Sequence, residues 1–236
     1  MPKLVSRILI SVALILANQL AYANLHDRGA GLVYDDELNV TWLQSAGISG
    51  RSMTFAEAID WVESYTHFDP IRGKTWSEWR LPRALPLNNL KYVLPCSGLE
   101  CFRGRIDNAY NITSKNSELA YMFYVNLANV APKDEYGIDN VDFTPNWKTG
   151  PFGFSGRSVS KFWTSGTLQN PSYPEQQLAI ILDYSEGWQT YSDLGSSYWV
   201  WAVMDGDVSP VPEPSALMYS VAGLMFLLMA KAKRTP

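Results

Sequence analysis

The sequence predicts an α+β domain with antiparallel strands at both ends and helices between them. Three observations carry this. Short β-branched and aromatic runs bounded by turn residues open and close the middle of the chain. Two stretches between them repeat apolar residues at helical spacing. Both chain ends carry the marks of targeting segments rather than of a core.

The order of elements starts at the N-terminus. Lys3 and Arg7 precede an apolar run from Ile8 to Leu16, and Ala21-Tyr22-Ala23 supplies a small-x-small site. This is the pattern of a secretory signal peptide over 1–23, with cleavage between Ala23 and Asn24. The exported domain then spans 24–209. Setting aside the two basic residues of the leader and the three basic and one acidic residues of the tail leaves 14 basic and 22 acidic residues, a net of −8. Such a surface is a poor match for nucleic-acid phosphates. All nine Trp fall in this domain, in keeping with an aromatic-rich, loop-heavy extracellular protein.

Gly31-Leu32-Val33-Tyr34 and Asn39-Val40-Thr41-Trp42-Leu43 read as a hairpin around Asp35-Asp36-Glu37. Thr54 and Glu57 form a capping box for a helix from Phe55 to Tyr65, with Phe55, Ala58, Ile59, Val62 and Tyr65 on one face. Pro82 forces an extended residue before it, so Trp79-Arg80-Leu81-Pro82 is a loop. Arg80 there either contacts a ligand or fixes the loop against the core, and the second reading is the commoner role of such a pair. A short helix is expected at Asn88 to Leu94, and a longer one from Ser117 to Val130.

Cys96 and Cys101, in an oxidising compartment, close a local disulfide. With no second Cys pair and only His26 and His67, a zinc site is not expected. Between Pro132 and Gly156 the periodicity dissolves into a long surface loop holding Asp134, Glu135, Asp139 and Asp142. Its carboxylate spacing does not match an EF-hand, so a solvated acidic loop without a cofactor is the expectation, and calcium is the one cofactor left open. Strands follow at Phe162-Trp163-Thr164, at Gln177 to Leu182 and at Trp188 to Tyr191. The strongest β pattern is Tyr198 to Val203, and a fold with strands at both ends invites its termini to pair in one sheet.

The tail, 210–236, joins a Pro-rich spacer to Ala216–Ala230, which has no charge, and to Lys231, Lys233 and Arg234. With Ser215 it predicts a transmembrane helix over 215–230, basic side inward. Val211-Pro212-Glu213-Pro214, the hydrophobic segment and the basic end resemble the PEP-CTERM sorting signal. That resemblance implies an exosortase-type membrane enzyme as processing partner. It implies a membrane-anchored precursor whose mature form goes to the cell surface or medium.

The domain itself resembles a second family. Gly31 to Tyr34, Trp42-Leu43, the Phe55 to Tyr65 helix, Trp79 to Pro82, Phe162-Trp163-Thr164-Ser165 and Trp201-Ala202-Val203 are similar to the C-terminal domain of collagen-like adhesins, a family of unknown function. The resemblance implies a C-type-lectin-like domain with two main helices and antiparallel strands. Two departures stand out. Trp201 lies where the family often has Arg, and the Glu-Pro-Asn or Gln-Pro-Asp triplet of calcium-dependent lectins is missing, so no binding residues carry over.

These readings lead to a non-catalytic, exported protein that binds or sits within extracellular polysaccharide. A glycan-acting hydrolase is the first alternative, requiring two paired carboxylates that the sequence does not single out. No Gly-x-Ser-x-Gly or His-Glu-x-x-His motif is present. A purely structural matrix protein is the second alternative.

Overall fold

The computed structural model describes residues 25–154 and 160–208. Signal cleavage at Ala23-Asn24, the sorting motif at 211–214 and the helix expected over 215–230 all lie outside the described residues. Among the described residues no helix is long and apolar enough to cross a membrane.

The fold is mixed α and β, with all strand ladders antiparallel. β1 (Leu25–Gly29), β2 (Leu32–Asp35) and β3 (Val40–Leu43) run as a meander, and β9 (Val203–Asp205) joins beside β3. A second sheet holds β6 (Lys161–Gln169), β7 (Gln177–Asp183) and β8 (Trp188–Asp193) in that order. A small hairpin, β4 (His67–Asp69) with β5 (Lys74–Trp76), stands apart. The chain therefore returns to its start: Thr41 of β3 faces Met204 of β9.

The expected hairpin forms, with Val33 opposite Trp42. Its extra partner β1, rich in polar residues, was not anticipated. Helix α1 (Phe55–Ser64) forms where the capping box placed it, and Thr54 and Glu57 exchange both hydrogen bonds of that motif. Ala58 and Val62 are its buried residues.

Three expected elements differ. Asn88 to Leu94 is not helical, because its polar groups make turns instead. The Asn88 Oδ1 accepts from the Leu90 and Lys91 amides at 2.9 and 3.0 Å, and buried Asp107 holds the Leu87 and Val93 amides at 2.9 and 2.7 Å. The second helix is short: α2 (Glu118–Tyr121) widens into a π turn, Met122–Asn126. Ala128, at φ 49°, then ends it. Tyr198 to Ala202 is extended but shared among partners. Tyr198 pairs with Met53, Trp199 with Lys161 and Trp163, and Ala202 accepts from Leu43, leaving only Val203–Asp205 as a ladder strand.

That shared segment joins the two main sheets, and the core gathers around it. Trp42, Trp163 and Trp201 are completely buried. The indole N–H of Trp201 donates to the Leu43 carbonyl and that of Trp163 to the Met53 carbonyl, both at 2.8 Å. Trp42 and Phe152 pack on Trp201 with ring centres 4.8 Å away in each case.

Candidate functional site

The long loop after the π turn does not float free. Asn129 clamps its far limb: the side-chain amide donates to the Lys148 carbonyl at 3.0 Å, and its oxygen accepts from the Lys148 amide at 2.6 Å. Gly150, at φ 55°, continues the limb, where a Cβ would lie 2.5 Å from Leu127 Cδ2. Across the gap stands the β7–β8 turn, pinned by Tyr124, whose hydroxyl donates to the Gly187 carbonyl at 2.9 Å. Gly187, at φ 78°, leaves room for Phe123 beneath that turn; its Cβ would lie 2.5 Å from the Phe123 ring.

The clamp and the turn enclose a cavity of about 390 Å³ lined by Phe123, Val130, Phe143 and Trp147 on the apolar side and by Asp142, Asn146, Lys148 and Ser185 on the polar side. That volume lies in the range of small-ligand sites. Trp147 is half-buried and meets Tyr184 edge-on, ring centres 6.1 Å apart. Tyr184 is fully buried with no hydrogen-bond partner for its hydroxyl among the described residues, and burial holds that phenol un-ionised, well above its ordinary range. It packs behind the lining, edge-on to Phe123 as well, with ring centres 4.9 Å apart. Lys148 spends its ammonium on the Ala128 carbonyl at 2.8 Å. Asp142 is exposed, and its amide donates to the Asn140 side chain at 3.1 Å. A lining that combines aromatic rings with a carboxylate, amides and a hydroxyl offers both apolar and hydrogen-bonding surface to a small polar ligand.

The acidic loop residues do not converge. Asp134 turns back to accept from the Tyr136 and Ile138 amides at 2.9 Å, and Asp139 pairs with Lys133 at 2.6 Å. Among the described residues no group of three or more His, Cys, Asp or Glu gathers as a metal site. Of the four carboxylates singled out in the loop, Asp142 alone lines the cavity; the spacing of the loop gave no signal for this, since Phe123 and Ser185 come from distant elements.

The other singled-out residues have structural surroundings. Arg80 donates to both Glu118 oxygens at 2.8 and 2.9 Å and to Asp205. Glu118 is buried and also accepts from the Arg83 amide at 2.6 Å. Arg80 thus ties the Trp79–Pro82 loop to α2 and β9. Burial opposes ionisation of Asp205, but Arg80 and Arg83 outweigh it and hold that carboxyl below its ordinary range. Cys96 and Cys101 form a disulfide, with Cys101 inside the turn Gly98–Phe102. His26 sits 2.9 Å from Asp36 at the surface, whereas His67 bonds the Ala30 carbonyl at 2.7 Å. The two imidazoles serve different elements.

Comparison with known protein families, with curated proteins and with solved structures finds no match for this chain.

Proposed function

We propose that this chain is an exported, exosortase-sorted protein whose domain is C-type-lectin-like and binds extracellular polysaccharide without turning it over. The cavity lined by Trp147 and Asp142 carries the reading. A pyranose ring offers a C–H face suited to the indole and hydroxyls suited to Asp142, while the Ser185 hydroxyl, which donates to Asp183, keeps its oxygen as an acceptor. The lectin-like fold is supported by the closing strand's return to the first sheet and by a long loop that builds the cavity. Export is supported by the leader before Asn24 and the sorting motif Val211-Pro212-Glu213-Pro214. An oxidising destination agrees with the Cys96–Cys101 disulfide.

A two-carboxylate hydrolase needs a pair of acids roughly 5–10 Å apart across the bond to be cut. The described lining of this cavity includes a single carboxylate, Asp142, which favours binding over cleavage. Screening the purified mature protein on a glycan array, with labelled polysaccharide incubated in parallel, separates the readings. Retention of a defined glycan without release of fragments is expected. Fragment release would establish the hydrolase, and an array with no retained glycan would leave a structural matrix protein.

A further inference from the structure

The β4–β5 hairpin presents apolar side chains to solvent, Ile71 with its Cδ1 end resting over Gly29 of β1. Phe68 is 63% exposed and Ile71 54% exposed, with exposed Pro70 between them. Beside them the Lys74 ammonium lies 3.6 Å from the centre of the Trp76 ring. Apolar tip, lysine and tryptophan are the residue types that settle at a membrane–water boundary.

The hairpin is rigidly set. Buried Asp69 accepts from the Ile71 amide at 2.9 Å, from the Trp76 indole at 3.2 Å and from the Arg72 guanidinium at 2.5 Å. Arg72 then donates to the Arg28 carbonyl at 2.9 Å, and Arg28 forks onto Asp207 at 3.0 and 2.8 Å. Asp207 lies at the end of the described domain, so two contacts link the hairpin to the point where the chain leaves for its tail. Seven residues, 209–215, separate Val208 from the uncharged run that begins at Ala216. Their reach is at most about 25 Å.

We infer that, in the unprocessed precursor, the tip formed by Phe68 and Ile71 docks into the outer interface of the lipid bilayer that holds the tail, and so orients the domain on the membrane. The inference rests on the reading of 215–230 as a membrane segment. The occupant is lipid because the short tether keeps the bilayer within reach of the hairpin side of the domain. The driving force is burial of Phe68 and Ile71, not charge, since the domain is acidic overall and Arg72 is already committed to Asp69.

The full chain reconstituted in phosphatidylethanolamine–phosphatidylglycerol vesicles tests this. Alkaline extraction reports whether the tail is inserted. A fluorophore on Thr75→Cys, quenched by head-group spin-labelled lipid, reports docking, with Tyr173→Cys on the β6–β7 loop as control. The expected result is a chain that resists extraction, quenching at position 75 several-fold above the control, and loss of that excess in a Phe68→Ser/Ile71→Ser chain. A chain that resists extraction but shows no excess quenching overturns the docking and leaves the tail reading standing. Excess quenching that survives the double substitution also overturns it. A chain released by alkali overturns the tail reading, and the docking falls with it.

Discussion

Asp35 is completely buried, and no cation among the described residues is bonded to it. Its Oδ1 accepts from the Glu37 and Leu38 amides at 3.2 and 3.1 Å, and its Oδ2 accepts from the Asn126 side chain at 2.6 Å. Burial pushes its carboxyl up to about 6 from 3.8, against these three bonds and the nearby Trp42 indole, which falls short of a hydrogen bond. The native state therefore binds more protons than the unfolded chain between those two values. This carboxyl's contribution to stability is greatest below about pH 4, falls as pH rises to about 6, and levels off above. A shift of about two units costs about 3 kcal/mol at neutral pH. Asp35→Asn removes that cost and keeps the turn, because its carbonyl oxygen still accepts from residues 37 and 38. Rotation of the Asn126 amide then turns its buried Oδ1, without a hydrogen-bond partner among the described residues in the wild type, toward the new amide in exchange for the bond its Nδ2 makes to Asp35. Urea unfolding of both proteins from about pH 4 to about pH 8 should show the substituted chain gaining stability relative to wild type as pH rises. The gain at neutral pH should approach about 3 kcal/mol, equivalent to roughly 6–12 °C in Tm for a domain of this size. A pH-independent difference between the two, or an Asp35→Asn chain less stable at neutral pH, would refute the reasoning.

Two other outcomes follow from the same structure. Arg80→Ala leaves the buried Glu118 carboxylate with only the Arg83 amide at 2.6 Å and the Arg83 guanidinium at 3.9 Å and should cost about 3 kcal/mol in chemical unfolding, whereas replacing Arg80 and Glu118 together by Met and Leu should recover most of that loss. Intact-mass analysis of membrane, surface and medium fractions from the native host should show loss of 1–23 everywhere and loss of the tail near Pro212 outside the membrane fraction; full retention of the tail in every fraction would exclude sorting by an exosortase.

Local signals in the chain were legible where one interaction decided them. Thr54 and Glu57 set the start of α1 because a capping box is complete within four residues. The β2–β3 hairpin was readable for the same reason. The Asn88 region misled because its helical spacing was outweighed by Asp107, an acceptor that only the folded chain brings close. Tyr198 to Val203 has strong strand propensity, yet its hydrogen bonds are divided between two sheets and a loop, which no local pattern encodes. The cavity was hidden for a related reason. Its walls come from the π turn, the long loop and the β7–β8 turn, and the Asn129–Lys148 clamp that shapes it spans 19 residues.

The most direct measurement is an equilibrium titration of the array-selected polysaccharide against wild-type protein, Asp142→Ala and Trp147→Ala, with Tm recorded for each. Asp142 is exposed, so its truncation should leave Tm unchanged while removing a charged hydrogen-bond acceptor, a loss of about 10- to 100-fold in affinity. Trp147→Ala should abolish measurable binding while the protein still unfolds cooperatively. Wild-type affinity in both folded variants would contradict the assignment of the cavity as the polysaccharide site.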